Sequence, residues 1–195
     1  MSNSFTHYTK TIKQALEAGN ATEHTHRPTL KALLEALDLG IIATNEPKHI
    51  ACGAPDYVVT RDRLIVGYIE AKDVGKSLSE VERSPQLKRY LGSLNNLILT
   101  DYLEFCWYVG GERRETARLA RIGPDGKLKT EKGGAQAVEN LLRAFLDHTP
   151  EPINTPRDLA VRMARLTHMV RDVIIEAFNQ GQASSLLQGW REAFV

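Results

Sequence analysis

Apolar positions three and four apart open the chain. Phe5, Tyr8, Ile12 and Leu16 share one helical face, and Gly19-Asn20 stops the run, so the spacing predicts a helix over 5–16. A second helix is expected from Thr22 or Thr25, either of which suits an N-cap. It carries Leu30, Leu33, Leu34 and Leu37 inward and ends at Gly40, with Pro28 in its first turns where a missing N–H costs little. The texture then changes to β-branched and aromatic runs. Residues 57–60 and 64–69 flank the polar Arg61-Asp62-Arg63 and read as a hairpin. Ser84-Pro85 opens a short helix over 86–94, and strands are expected at 96–100 and 103–109, the second ended by Gly110-Gly111. A last strand is expected within 115–122, before the turn residues Gly123-Pro124-Asp125-Gly126. Strands cease from Gly133, and two helices follow, over 135–147 and 155–180.

The second of these starts with Thr155 as cap, Pro156 at the first helical position and Asp158 in the first turn. Its stripe of Leu159, Met163, Leu166, Val170, Val173 and Ala177 suits packing on another helix. The closing residues Leu186, Leu187, Trp190 and Phe194 form a fresh apolar set without a capping glycine. They lead to the expectation that this chain is the front part of a longer protein.

With 195 residues, of which 42% are hydrophobic, the chain can bury one substantial core. Its 25 Lys+Arg against 24 Asp+Glu leave a net charge of +1, which excludes a polycationic nucleic-acid coat or an acidic tail; binding to nucleic acid must come from local clustering. Cys52 and Cys106 have no CxxC partner, so neither a disulfide framework nor a thiolate zinc site is indicated. No run approaches the roughly 18 apolar residues of a membrane span. A soluble protein of the cytoplasm, with no membrane partner, is expected.

The chemistry concentrates in Gly53-Ala54-Pro55-Asp56-Tyr57 and Ile69-Glu70-Ala71-Lys72. Strand alternation puts Glu70 and Lys72 on one face and Ile69 and Ala71 on the other. If the turn pivots near Arg63, Asp56 lies opposite Glu70, where paired side chains come within roughly 5 Å. Adjacent carboxylates repel, and a bound cation relieves them; oxygen ligands on a strand edge suit a hard ion such as Mg2+, with Mn2+ as substitute. Phosphodiester hydrolysis is the chemistry that follows, with Lys72 orienting water or neutralising charge on phosphorus. The competing reading of the same residues is a surface salt bridge in a chain that is 25% charged.

Pro55-Asp56 and Glu70-Ala71-Lys72 match the pattern of the PD-(D/E)XK nuclease superfamily, which the chain resembles. Gln86-Leu87-Lys88-Arg89-Tyr90 resembles the Gln-x-x-x-Tyr motif on the helix after the active-site hairpin in one large branch of it. The run from Ala21-Thr22-Glu23-His24-Thr25-His26-Arg27-Pro28 to Leu99-Thr100-Asp101-Tyr102-Leu103-Glu104-Phe105 is similar to the amino-terminal nuclease domain of restriction-modification enzymes with a fused adenine methyltransferase. The resemblance implies an α/β fold, a central mixed sheet flanked by helices, with Mg2+-dependent cleavage of DNA in a restriction or phage-defence system. It implies Asp56 and Glu70 as metal ligands, the Ala71 carbonyl as a possible third, Lys72 as the catalytic cation, and Gln86 and Tyr90 near the scissile phosphate. Glu23 is either a further ligand or a favourable charge at its helix terminus. The nuclease domain is expected over 1–132, and 133–195 as a helical extension toward a missing methyltransferase or target-recognition domain. No Asn-Pro-Pro-Tyr or Asp-Pro-Pro-Tyr motif occurs, so methylation is not expected of this chain.

Among the remaining candidates, His24, His26 and His49 are read as solvated, Cys106 as a small core residue, and Gly110-Gly111 and Gly133-Gly134 as turns. Arg83, Lys88, Arg89, Arg113, Arg114, Arg118 and Arg121 could line a DNA channel, Lys88 and Arg89 foremost because they share a helix with Gln86 and Tyr90. The alternative to an enzyme is a catalytically silent nuclease-like module that binds DNA or another protein.

Overall fold

The computed structural model describes residues 3–19, 21–45, 55–149 and 155–161, with 163, 164, 167 and 171. It divides into two compact units, one of Met1–Pro47 with Pro55–Glu151, the other of Lys48–Ala54 with Pro152–Val195. In the first, helices α1 (Asn3–Ala18) and α2 (Glu23–Leu37) precede strands β1 (Ile41–Asn45), β2 (Tyr57–Arg61) and β3 (Leu64–Ala71). Helices α3 (Leu78–Val81) and α4 (Pro85–Ser93) then lead to β4 (Asn96–Thr100), β5 (Glu104–Val109) and β6 (Glu112–Arg118). A small hairpin of β7 (Ala120–Ile122) and β8 (Leu128–Thr130) leads into α5 (Gly134–Leu146). The fold is α/β, as expected: a six-stranded sheet in the order β1-β2-β3-β4-β5-β6, flanked by helices. Every neighbouring pair is antiparallel except β3 and β4, whose parallel pairing requires the crossover that α3 and α4 supply.

Alternation divides the sheet into two faces. Tyr57, Val59, Ile69, Ala71, Ile98 and Phe105 join Phe5, Tyr8 and Ile12 of α1, Leu30 and Leu34 of α2, and Leu141 and Phe145 of α5 in one buried cluster. Each of the larger of these side chains contributes about 2 kcal/mol by leaving water. The nuclease domain was expected to end at 132, whereas α5 buries Val138, Leu141, Leu142, Phe145 and Leu146 in this core and belongs to the first unit. Gly67 makes the fit possible, since a Cβ there would lie 2.6 Å from the Phe145 ring. Asn96 fastens the same junction: its amide donates to the carbonyls of Val66 (2.9 Å) and Phe145 (3.0 Å) and accepts from Trp107 Nε1 (2.7 Å).

The other face carries Tyr68, Glu70, Leu97, Leu99, Cys106 and Tyr108 by the same alternation. On α4, Leu87 and Tyr90 are buried outside the large cluster. Ser84 caps this helix by accepting the Leu87 N–H at 3.2 Å, and Pro85 fills a first-turn position.

Strand β1 forms one edge of the sheet. Glu35 of α2 accepts the outward N–H of Ala43 at 3.1 Å and Lys31 donates to its carbonyl at 2.7 Å, so the middle of this edge is occupied by side chains. In α2, Thr22 is the N-cap and its N–H donates to Thr25 Oγ1 at 3.0 Å; Pro28 sits inside the helix, beyond its first turn. In the second unit, the expected cap is present: the Asp158 N–H donates to Thr155 Oγ1 (3.1 Å) and the Thr155 N–H to Asp158 Oδ2 (3.2 Å). Leu159 and Met163 are exposed. Leu166, Val170, Val173 and Ala177 of the stripe, and the apolar set from Leu186 to Phe194, lie outside the described residues.

Candidate active site

The β2–β3 hairpin closes through Asp62 and Arg63, both at positive φ (50° and 67°), between the paired Arg61 and Leu64. Positive φ at both central residues matches the right-handed twist of the strands, and Asp tolerates it. This two-residue turn differs from the expected pivot on Arg63. A regular ladder from it would place Asp56 across from Ile69. The register shifts between Val59 and Thr60, and beyond that bulge Tyr57 pairs with Ile69, so the next rung sets Asp56 against Glu70.

Both carboxylates are held. Asp56 Oδ2 accepts the Ala71 N–H at 2.8 Å, which ties the entrance of β2 to the end of β3. Its Oδ1 accepts from Arg27 Nη2 at 2.5 Å. Glu70 Oε1 accepts from Lys72 Nζ at 2.6 Å. The Lys72 N–H donates to the Thr100 carbonyl at 2.8 Å, prolonging the β3–β4 ladder and keeping Lys72 on the face of Glu70. Side-chain exposure is 4% for Glu70, 5% for Arg27, 14% for Asp56 and 24% for Lys72, so the amine is the most open of the four.

Helix α4 brings Tyr90 and Gln86 to this cluster. Gln86 Nε2 donates to the Tyr90 hydroxyl at 3.0 Å. Burial pushes that hydroxyl well above its ordinary pKa, and the charge of Glu70, then that of Asp56, pushes the same way against Gln86 and Arg89. Tyr90 is therefore a neutral donor facing two acids. Arg89 is half-buried beside it. Lys88 is exposed and sits about 200° around the helix from Gln86, away from the acids.

Arg27 is the residue that sequence reasoning missed. Besides gripping Asp56, its carbonyl accepts the Tyr57 hydroxyl at 2.8 Å, so α2 meets the start of β2 at two points. The available signal was its place in the quoted run, one helical turn after Glu23. Glu23 opens α2, and its side chain lies outside the described residues, as do His49 and Cys52. His24 is exposed. His26 departs from the solvated expectation: it is 2% exposed, packs its ring 5.2 Å from that of Tyr102, and burial lowers its pKa against the opposing charge of Asp73. Cys106 is a buried free thiol, as expected, with its pKa raised by burial.

A cavity of about 390 Å3 opens farther along, between the 75–79 segment and β6. Of the arginines considered for a DNA channel, three line it as members of ion pairs: Arg113 with Glu82, Arg118 with Glu104 (2.6 Å) and Arg121 with Glu131 (2.7 Å). Arg83 and Arg114 are exposed.

The donor chemistry fits a hard divalent ion. Two carboxylates meet beside a strand-end backbone, and oxygen is the ligand that Mg2+ and Mn2+ take. Among the described residues no group of three or more His, Cys, Asp or Glu side chains could hold a metal. Carbonyl, water or substrate oxygens would complete the shell. Among the described residues, too, no helix is long and apolar enough to cross a membrane.

No family model and no curated protein sequence matches the chain. Among solved structures it is similar to a chain in a cryo-EM structure of a DrdV–DNA complex, with a TM-score of 0.60 and 19% identity over 75% of this chain and 98% of that one. At that identity the likeness is one of fold, and the sheet described here agrees with a restriction endonuclease-like architecture.

Proposed function

We propose that this chain is a PD-(D/E)XK endonuclease module that hydrolyses DNA phosphodiester bonds with Mg2+, serving a restriction-modification or phage-defence enzyme. The observation that carries the reading is the meeting of Asp56, Glu70 and Lys72 at one end of β2 and β3, beneath Gln86 and Tyr90. A largely buried pair of acids with an amine at its open side is costly in a scaffold and useful at a phosphate. The fold shared with a protein solved on DNA supports DNA as substrate.

In this reading Asp56 and Glu70, with the Ala71 carbonyl, would hold the ion, and Glu23 is a candidate for a further ligand. A divalent ion held there would supply charge to polarise the phosphoryl oxygen and acidify the attacking water. Lys72 Nζ, the most exposed group, orients that water or offsets charge growing on phosphorus. Tyr90, neutral and steadied by Gln86, donates a hydrogen bond to a phosphate oxygen. Arg89 serves the flanking phosphate, and Lys88, on the far side of α4, serves DNA only at longer range. A fused methyltransferase or target-recognition domain would supply sequence choice. The test is nicking of supercoiled plasmid in Mg2+ or Mn2+ by the full chain and by Asp56→Ala and Glu70→Ala. Wild-type nicking lost in both variants supports the reading; DNA binding without nicking in either metal replaces it with a silent binding module.

A further inference from the structure

The cavity of about 390 Å3 between the 75–79 segment and β6 uses none of the residues of the candidate active site, and its charges are ordered by depth. Arg113 pairs with Glu82, Arg118 with Glu104 and Arg121 with Glu131, and in all three pairs the guanidinium is the more exposed partner. The carboxylates stand behind the arginines and hold them in place, which lowers the entropy that a ligand must offset. Glu82 also accepts the Tyr108 hydroxyl, and Asp101, the third acid of the lining, is spent on the backbone N–H groups of Gly75, Leu103 and Glu104. Counting Lys76 with the arginines, the formal charges cancel. The preference of the cavity is therefore set by which groups still have hydrogen bonds to give.

Those groups are donors. Arg113 and Arg118 reach their partners through Nη2 and Arg121 through Nε and Nη2, and each guanidinium has further N–H groups beyond these. Exposed Lys76 and the hydroxyls of Ser77 and Ser79 add donors from the opposite wall. The same cavity is lined by the buried Leu78, Leu103 and Ala120 and by Ile122, a surface for an apolar ring.

We propose that this cavity binds a mononucleotide, with its phosphate monoester on the arginines and its base against the aliphatic side chains. The guanidinium forks suit a phosphate, and a volume of about 390 Å3 is at the small end of what organic ligands occupy. A DNA duplex is too wide to enter such a space and would meet only its rim. The site is independent of the endonuclease reading and of its metal ion.

Calorimetric titration of the four deoxynucleoside 5′-monophosphates, each separately, into the full chain without divalent ion tests this. At least one should bind about tenfold or more tighter than its own nucleoside and than inorganic phosphate, because each of those lacks one half of the contacts. Arg118→Gln and Arg121→Gln change side chains that reach solvent, where folding is little affected. Each should weaken the binding by about tenfold, whereas Arg114→Gln, on the strand of Arg118 but outside the lining, should stay within about twofold of wild type. Absence of binding by all four nucleotides overturns the proposal, as does inorganic phosphate that binds equally well, or binding that neither Arg118→Gln nor Arg121→Gln weakens. A duplex with 5′-hydroxyl ends that displaces the nucleotide, and that loses affinity to the same extent in both variants, would give these arginines to the DNA backbone and overturn it too.

Discussion

Replacing Arg27 by methionine keeps the bulk of the stem and removes the charge that faces Asp56. At an effective dielectric of about 20, unit charges about 4 Å apart attract by about 4 kcal/mol. The guanidinium and carboxylate are closer, 2.5 Å between heavy atoms, and both are mostly buried, so desolvation has removed part of the gain. Losing one partner strands the other: Arg27→Met should destabilise by about 3–5 kcal/mol, and Asp56→Asn, which leaves a buried guanidinium, by a similar amount. In a domain of this size the first change corresponds to a loss of about 10 °C in Tm. Combining the two neutralises both sites, and the double variant should lose far less than the sum, a coupling of about 2–4 kcal/mol. Urea and thermal unfolding followed by circular dichroism give all four corners of the cycle. Losses that add to within about 0.5 kcal/mol would refute the pairing.

Asn96→Ala leaves the Trp107 N–H and the carbonyls of Val66 and Phe145 without their shared partner, and should cost about 3 kcal/mol in urea unfolding; a cost below about 1 kcal/mol would show the junction is held otherwise. Burial raises the hydroxyl pKa of Tyr8, Tyr57, Tyr90 and Tyr108 in the folded chain. Unfolded, they release protons near pH 10, so their contribution is fully present below about pH 10 and falls by about 1.4 kcal/mol per pH unit for each as pH rises toward the folded value. Urea midpoints should therefore hold level to about pH 10 and drop steeply above it; a level midpoint at about pH 11 contradicts the assignment. Lys72→Ala should abolish plasmid nicking yet leave DNA affinity by fluorescence anisotropy nearly unchanged, because one amine among many cations adds little to binding. Parallel loss of both would move Lys72 from chemistry to binding.

Much of the sheet was legible because its strands are apolar on one face or both: the runs at 57–60, 64–69, 96–100 and 103–109 announce themselves by β-branched and aromatic residues. Strand β1 was not, since five residues at a half-exposed edge, with Ile42 in solvent, carry no pattern long enough to recognise. The β7–β8 hairpin and the single turn of α3 are too short for the same reason. Within the site, Asp56, Glu70, Lys72, Gln86 and Tyr90 were readable as motifs, and the structure brings them together. Arg27 and His26 were not, because burial of a polar side chain leaves no mark on hydrophobic periodicity. Their partners, Asp56 and Tyr102, lie 29 and 76 positions downstream and meet them only through topology.

The unpaired Val66 works like a vernier on the hairpin. Turn and motif lie out of step by one residue, and the strand absorbs the difference halfway along. A related chain could keep both acids and the amine in its sequence, iron out that single step, and turn one carboxylate toward the opposite layer of the protein. Counting residues between the two halves of such a motif is therefore insufficient without knowing where the ladder skips, and a silent descendant of an active ancestor need not have lost any charged residue at all.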